Sequence, residues 1–198
     1  MTRLDVRDLA VERGGRLVLA GIGFTLAAGE AMAVTGPNGA GKSTLLRAVA
    51  GLVPRKTGAV DWHGAGEPIA EAAHYFGHLD ALKPTLTVAD NLRLWSKVAG
   101  VPGLSLIEAL EEVGLDHLDD LPAAYLSAGQ RRRVAFARLL LVERPLWLLD
   151  EPMAALDAAA ETAFGALLAS HMARGGLALV ATHRPLPVPA AALAVGRR

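Results

Sequence analysis

The run Gly36-Pro37-Asn38-Gly39-Ala40-Gly41-Lys42-Ser43 has the spacing G-x-x-x-x-G-K-[ST], the pattern of a loop that wraps phosphate groups. Its glycines let successive backbone N–H groups face inward around phosphate oxygens, and a helix beginning at the loop's end adds a favourable dipole. In that arrangement Lys42 reaches the β- and γ-phosphates, the Ser43 hydroxyl coordinates Mg²⁺ and Thr44 contacts the α-phosphate. A glycine-rich turn that merely contains a lysine is the plain alternative. The apolar strand before it and the helical sequence after it, Ser43 to Ala50, argue against that alternative.

A second pair of groups supplies the rest of a phosphoryl-transfer site. Leu146-Trp147-Leu148-Leu149 is an apolar strand that delivers two adjacent carboxylates, Asp150 and Glu151. Asp150 is expected to hold Mg²⁺ through water, and Glu151 to polarise an attacking water. Alone, an acidic pair after a strand is more often a solvated turn; the phosphate loop upstream reverses that reading.

These groups need elements to bring them together. Leu4 and Val6, Leu17 to Leu19 and Ile22 to Leu26 read as short strands closed by the turn Ala27-Ala28-Gly29-Glu30. Ala31 to Thr35 reads as a strand feeding the phosphate loop, and the helix Ser43 to Ala50 is stopped by Gly51. Thr87 and Ser105, each followed three residues later by an acid, open helices that end near Gly100 and Gly114. Two helix-then-strand patterns follow: Ala128 to Val142 before Leu146 to Leu149, and Ala158 to Ala173 before Leu177 to Thr182. The Pro- and Ala-rich tail from Arg184 can add an edge strand. Alternating helices and apolar strands predict an α/β fold with a mostly parallel sheet and its active groups at the strands' C-terminal ends.

Composition narrows the class. With 20 Lys and Arg against 20 Asp and Glu, the chain lacks the basic surplus of a nucleic-acid binder. Without cysteine, a metal must use oxygen or His ligands. No apolar stretch reaches the ~18 residues of a membrane-spanning helix, and Met1 to Val11 lacks the apolar run of a signal peptide. A cytoplasmic chain is expected.

Leu126-Ser127-Ala128-Gly129-Gln130 resembles the LSGGQ signature of ABC ATPases, with Ala in place of the second small residue. Ala154-Ala155-Leu156-Asp157 is similar to that family's D-loop, and Thr182-His183 to its switch histidine, which contacts the γ-phosphate and the attacking water. The resemblance covers nearly the whole chain. It implies a P-loop NTPase of ABC type, a single domain over 1–198, with an N-terminal antiparallel β subdomain and a helical subdomain at about 80–140. It also implies ATP and Mg²⁺ as ligands, and a head-to-tail homodimer in which Ser127, Ala128, Gly129 and Gln130 close over ATP held by the opposite protomer. A plainer reading of the same segment, a Ser N-cap before an arginine-rich helix whose Arg132 and Arg133 face water, holds alongside it.

Two positions depart from the family pattern. His78 stands in the Q-loop, where the family has Gln, which alters Mg²⁺ sensing, and no aromatic lies near Arg13 to stack on adenine, leaving Arg13 or apolar neighbours to do so. Gly77-His78 before Leu86-Thr87-Val88, the signature's arginine-rich continuation and Thr182-His183-Arg184-Pro185-Leu186 are together similar to the ATP-binding subunits of haem exporters in bacterial cytochrome c maturation. Those subunits work with two membrane permeases on the cytoplasmic face of the inner membrane. Haem would be handled by the complex, not by this chain, since His74, His78 and His183 have simpler roles. The permeases are expected to dock around His78 to Leu94. The alternative is an ABC transporter ATPase for another substrate. A DNA-repair ATPase would carry a long coiled coil between Lys42 and Ser127, and a module that only senses ATP would lack Glu151 or His183.

Overall fold

The computed structural model of the chain describes residues 2–97 and 101–196. In chain order its elements are β1 (Arg3–Arg13), β2 (Arg16–Ala27), β3 (Ala31–Thr35), α1 (Lys42–Val49), β4 (Thr57–His63), α2 (Ile69–Ala72) and β5 (Ala73–Phe76). There follow α3 (Val88–Ser96), β6 (Val101–Pro102), α4 (Leu106–Glu112), α5 (Ala128–Leu141), β7 (Val142–Glu143), β8 (Leu146–Asp150), α6 (Ala158–Ala173), β9 (Leu177–Ala181) and β10 (Ala191–Ala194). These form two compact units. The first holds Met1–His78, Pro145–Pro152 and Leu167–Arg198, and the second Leu79–Arg144 and Met153–Ala166.

In the first unit a parallel sheet runs in the order β10-β3-β9-β8-β5. The most continuously apolar runs, β8 and β9, are buried along their whole length, as strands covered on both faces must be. The expected α/β class with a mostly parallel sheet is what the chain adopts, and the Pro- and Ala-rich tail does supply an edge strand, β10, beside β3. The second sheet, β2-β1-β4, is antiparallel. Leu4, Leu9 and Leu26 from it, Leu45 and Leu46 from α1, and Leu146, Leu148, Leu177 and Leu179 from the parallel sheet form one buried core, each side chain contributing about 2 kcal/mol.

The N-terminal strands are longer than their alternation suggests. Asp8 has φ 46°, and the β1–β2 register shifts between Val6 and Leu9 and again on either side of Val11. Each bulge flips the side-chain alternation, so one long strand reads as short pieces. Gly14 and Gly15, both at positive φ, join the two strands in the hairpin that such a pair favours. Strand β4, absent from the sequence reading, pairs with the far edge of β1.

His171, near the end of α6, is buried and stacks on Trp147 with ring centroids 3.9 Å apart. Its Nε2 lies 3.3 Å from the Leu177 carbonyl and donates to it. Burial pushes this imidazole down to about 4, against ~6.5 in an unfolded chain. Because the folded value is the lower, the neutral ring's contribution is complete above ~6.5 and disappears as pH falls toward about 4. Between pH 7 and pH 4, urea unfolding should show wild type losing about 3 kcal/mol more than a His171→Leu variant. Parallel losses in the two proteins would remove this assignment.

In the second unit α3, α4 and α5 pack together. Thr87 caps α3 by accepting from the Asp90 N–H at 3.0 Å, but the Asp90 carboxylate turns to Arg93 at 2.9 Å. Ser105 and Glu108, by contrast, close both halves of a capping box at α4. Helix α3 ends at Ser96; Gly100, its expected stop, lies outside the described residues. Helix α5 ends at Leu141, one residue short of expectation, because Val142 and Glu143 pair with Pro102 and Val101.

The arginine run also departs from expectation. Arg132 is 3% exposed and its Nη1 donates to Asp80 Oδ1 at 3.1 Å. Arg133 donates to the Val113 carbonyl at the C-terminus of α4, 3.2 Å away, where a cation opposes the helix dipole favourably. Arg132 is thus buried, and Arg133 is half-buried with a backbone partner, so neither is a freely solvated side chain. Arg138, also buried, donates to the Asp80 carbonyl at 2.9 Å and lies 4.5 Å from the centre of the Trp95 ring. Burial lowers it to about 10, so it stays charged at neutral pH.

Candidate functional site

Three neighbouring strands of the first unit end at one level. Val34 of β3 and Asp150 of β8 both pair with Ala181 of β9. The chain therefore leaves the sheet at Thr35, Glu151 and Thr182 from strands ~4.8 Å apart. That register delivers the phosphate loop, the acidic pair and His183 to the same end of the sheet.

The loop itself depends on glycine. Gly36 has φ 145°, and a Cβ there would sit 2.4 Å from the Val195 carbonyl oxygen. Gly41, at φ 101°, precedes α1 without any side-chain cap, and a Cβ there would meet Leu19 at 2.8 Å. The first-turn N–H groups of α1 are thus left for another acceptor. Pro37, Asn38 and Gly39 are exposed, Ala40 is half-buried, and the Ala40 N–H closes a turn on the Pro37 carbonyl at 3.2 Å.

Lys42 is 7% exposed. Its Nζ donates to the Gly36 carbonyl at 3.0 Å and lies 2.9 Å from His183 Nε2 and 4.0 Å from Glu151 Oε1. His183 Nε2 is in turn 3.2 Å from Glu151 Oε1, so one imidazole nitrogen faces both an ammonium and a carboxylate. A single nitrogen can accept from Lys42 or donate to Glu151, not both at once. Glu151 itself has φ 49° and gives its N–H to the Ala181 carbonyl at 2.9 Å; a left-handed non-glycine residue is backbone strain of the kind held at functional sites.

Ser43 Oγ donates to Asp150 Oδ1 at 2.9 Å, and Asp150 is 2% exposed. Thr44, one position on, is buried. Two residues that the sequence reading gave no role also belong here. Tyr75 Oη is 3.5 Å from Asp150 Oδ2 and accepts from Arg47 Nε at 3.0 Å. Burial pushes the Tyr75 phenol up, and its hydrogen bond raises the Arg47 guanidinium. The signal in the sequence was slight: Arg47 lies one helical turn after Ser43.

A hydroxyl and a carboxylate at this distance are hard oxygen donors of the kind Mg²⁺ takes, completed by phosphates and water. Among the described residues no cluster of three or more His, Cys, Asp or Glu side chains forms a metal cage. His78 is exposed at the end of the segment after β5, and Arg13 is exposed beside the Gly14-Gly15 turn.

The second unit carries the remaining motif residues. Ser127 caps α5 by accepting from the Gln130 N–H at 3.1 Å, while Gln130 Oε1 accepts from the Ser127 N–H at 2.8 Å. The Ser127 hydroxyl proton remains available to a further acceptor, and Ser127 and Ala128 are exposed. Gly129 packs on the Ala155 carbonyl, 3.4 Å from where a Cβ would stand. Ala155 has φ 62°, and Asp157 caps α6 by accepting from the Ala160 N–H at 2.8 Å.

Residues 19–154 match the family described as ABC transporter. The chain is 53% identical over 196 residues, 98% of each protein, to "Cytochrome c biogenesis ATP-binding export protein CcmA" of Rhodopseudomonas palustris (strain BisB5). It is 51% identical over 197 residues to the protein of the same name from Nitrobacter winogradskyi, again over 98% of each. Among solved structures it is similar to a putative ABC transporter ATP-binding protein from Pyrococcus furiosus, with TM-score 0.84 and 25% identity over 98% of this chain and 97% of that one.

Proposed function

Since the chain belongs to the ABC transporter family, we propose that it is the ATP-hydrolysing subunit of a cytochrome c biogenesis exporter that drives haem export or release of a haem chaperone. The observation that carries the catalytic part is the convergence of Lys42, Ser43, Asp150, Glu151 and His183 at the ends of three adjacent strands. The naming of its relatives supports the cytochrome c part.

The phosphate groups of ATP sit in the N–H cradle of residues 36–44, with the Lys42 ammonium exchanging its loop carbonyls for phosphate oxygens. Mg²⁺, when bound, neutralises developing charge on the β- and γ-oxygens. Ser43 and Asp150 would hold it from the protein side. Glu151 accepts a proton from the attacking water, and His183 donates toward the γ-phosphate to fix the line of attack. Ser127 and the Gly129 N–H, at the N-terminus of α5, supply the other face in a head-to-tail homodimer. His78 stands where the family has Gln, and its shorter side chain alters Mg²⁺ sensing.

No helix among the described residues is long and apolar enough to cross a membrane. The naming of its relatives as export proteins supports placing the chain at the cytoplasmic face of the inner membrane, working with permease partners. Purifying Glu151→Gln from detergent-solubilised membranes with ATP and Mg²⁺, then identifying partners by mass spectrometry and haem by absorbance, tests this. Small polytopic permeases with haem-handling proteins are expected. An unrelated permease would reassign the cargo, and no membrane partner at all would overturn the transporter reading.

A further inference from the structure

Asp150 has two carboxylate oxygens, and each faces a different hydroxyl. Oδ1 accepts from Ser43 Oγ at 2.9 Å and Oδ2 from Tyr75 Oη at 3.5 Å. The Tyr75 oxygen is itself held by Arg47 Nε at 3.0 Å. Ser43 and Arg47 are one turn apart on α1, so they lie on one face of the helix. Tyr75 pairs in register with Leu148, two residues before Asp150 on β8. Helix α1 and strand β5 therefore grip the same carboxylate from its two oxygens.

We propose that Tyr75 and Arg47 are positioning residues for Asp150, setting how tightly a divalent cation is held beside the nucleotide phosphates. The inference rests on the phosphate-site reading above. Contact at Oδ2 stops the carboxylate from rotating about its Cβ–Cγ bond, whichever partner Oδ1 takes. The guanidinium of Arg47, by donating to the phenol oxygen, polarises the phenol and strengthens it as a donor to Asp150. Partners of this kind, one shell out from a metal ligand, change metal affinity by ~10- to 100-fold when removed. The length of the Tyr75–Asp150 contact places this one at the lower end.

The test is equilibrium ATP binding to the full chain, once in excess EDTA and once across a Mg²⁺ titration. Tyr75→Phe should leave affinity in EDTA unchanged and raise the Mg²⁺ concentration that half-maximally strengthens binding by ~10-fold. Arg47→Gln should shift it the same way by less. An unchanged Mg²⁺ midpoint in Tyr75→Phe overturns the proposal. So does an equal loss of affinity in EDTA and in Mg²⁺, which marks Tyr75 as packing alone. If ATP binding to wild type takes no account of Mg²⁺, the phosphate-site reading fails first and this inference with it.

Discussion

Glu151→Gln in the assembled transporter should bind ATP as tightly as wild type and turn it over ~10²- to 10⁴-fold more slowly, the range for loss of a general base. Gln keeps the size and shape of Glu151, so it can occupy the same strained backbone, with φ 49° and its N–H on the Ala181 carbonyl. What it loses is the acceptor for a water proton and the negative charge that faces His183 Nε2 at 3.2 Å and Lys42 Nζ at 4.0 Å. Single-turnover hydrolysis and equilibrium ATP binding, measured on the same preparation, separate the two effects. Wild-type turnover in the variant would strip Glu151 of its role. A matching loss of ATP affinity would make it a binding residue instead.

Lys42 should show the opposite division. Its ammonium already donates to the Gly36 carbonyl and approaches His183 Nε2; ATP offers it negatively charged phosphate oxygens. A hydrogen bond to a charged group contributes ~1.5–3 kcal/mol. Lys42→Ala should therefore weaken ATP binding ~10- to 100-fold. The side chain is buried, so Lys42→Met, which keeps the stem and removes only the charge, serves as the control for lost packing. Direct binding of ATP to the three proteins decides the matter. Undiminished affinity in Lys42→Met would show that the loop's backbone N–H groups hold the phosphates without it.

Much of this is legible in the sequence alone. The glycine loop, Lys42, Ser43, Asp150 and Glu151 are readable because their chemistry demands particular residue types at short, fixed spacings. Strands β3, β8 and β9 and helices α1 and α6 are readable for a related reason: each is a local run of one period between strong stop signals. The reading weakened wherever a residue's environment came from far along the chain. Arg132 and Arg133 looked like a solvated face because three adjacent arginines are usually solvated. Asp80, 52 positions before Arg132, pairs with the buried Arg132, and the carbonyl of Val113 holds the half-buried Arg133.

The bulges of β1 and the missed strand β4 fail for the same reason, since a register shift and an edge partner are set across the sheet. Tyr75 and Arg47 are ordinary residues in sequence, and they become partners of Asp150 only when β5 lies beside β8 and α1 packs on β8. Sequence alone therefore determined which groups can do chemistry and on which local elements they sit, because side-chain type, loop glycines and hydrophobic period are local properties. The tertiary structure decided their order in space: β9 enters between β3 and β8, and through Ala181 it levels the ends of all three. Strand order and register are settled by non-local backbone pairing and shared burial, which no segment of the chain encodes by itself.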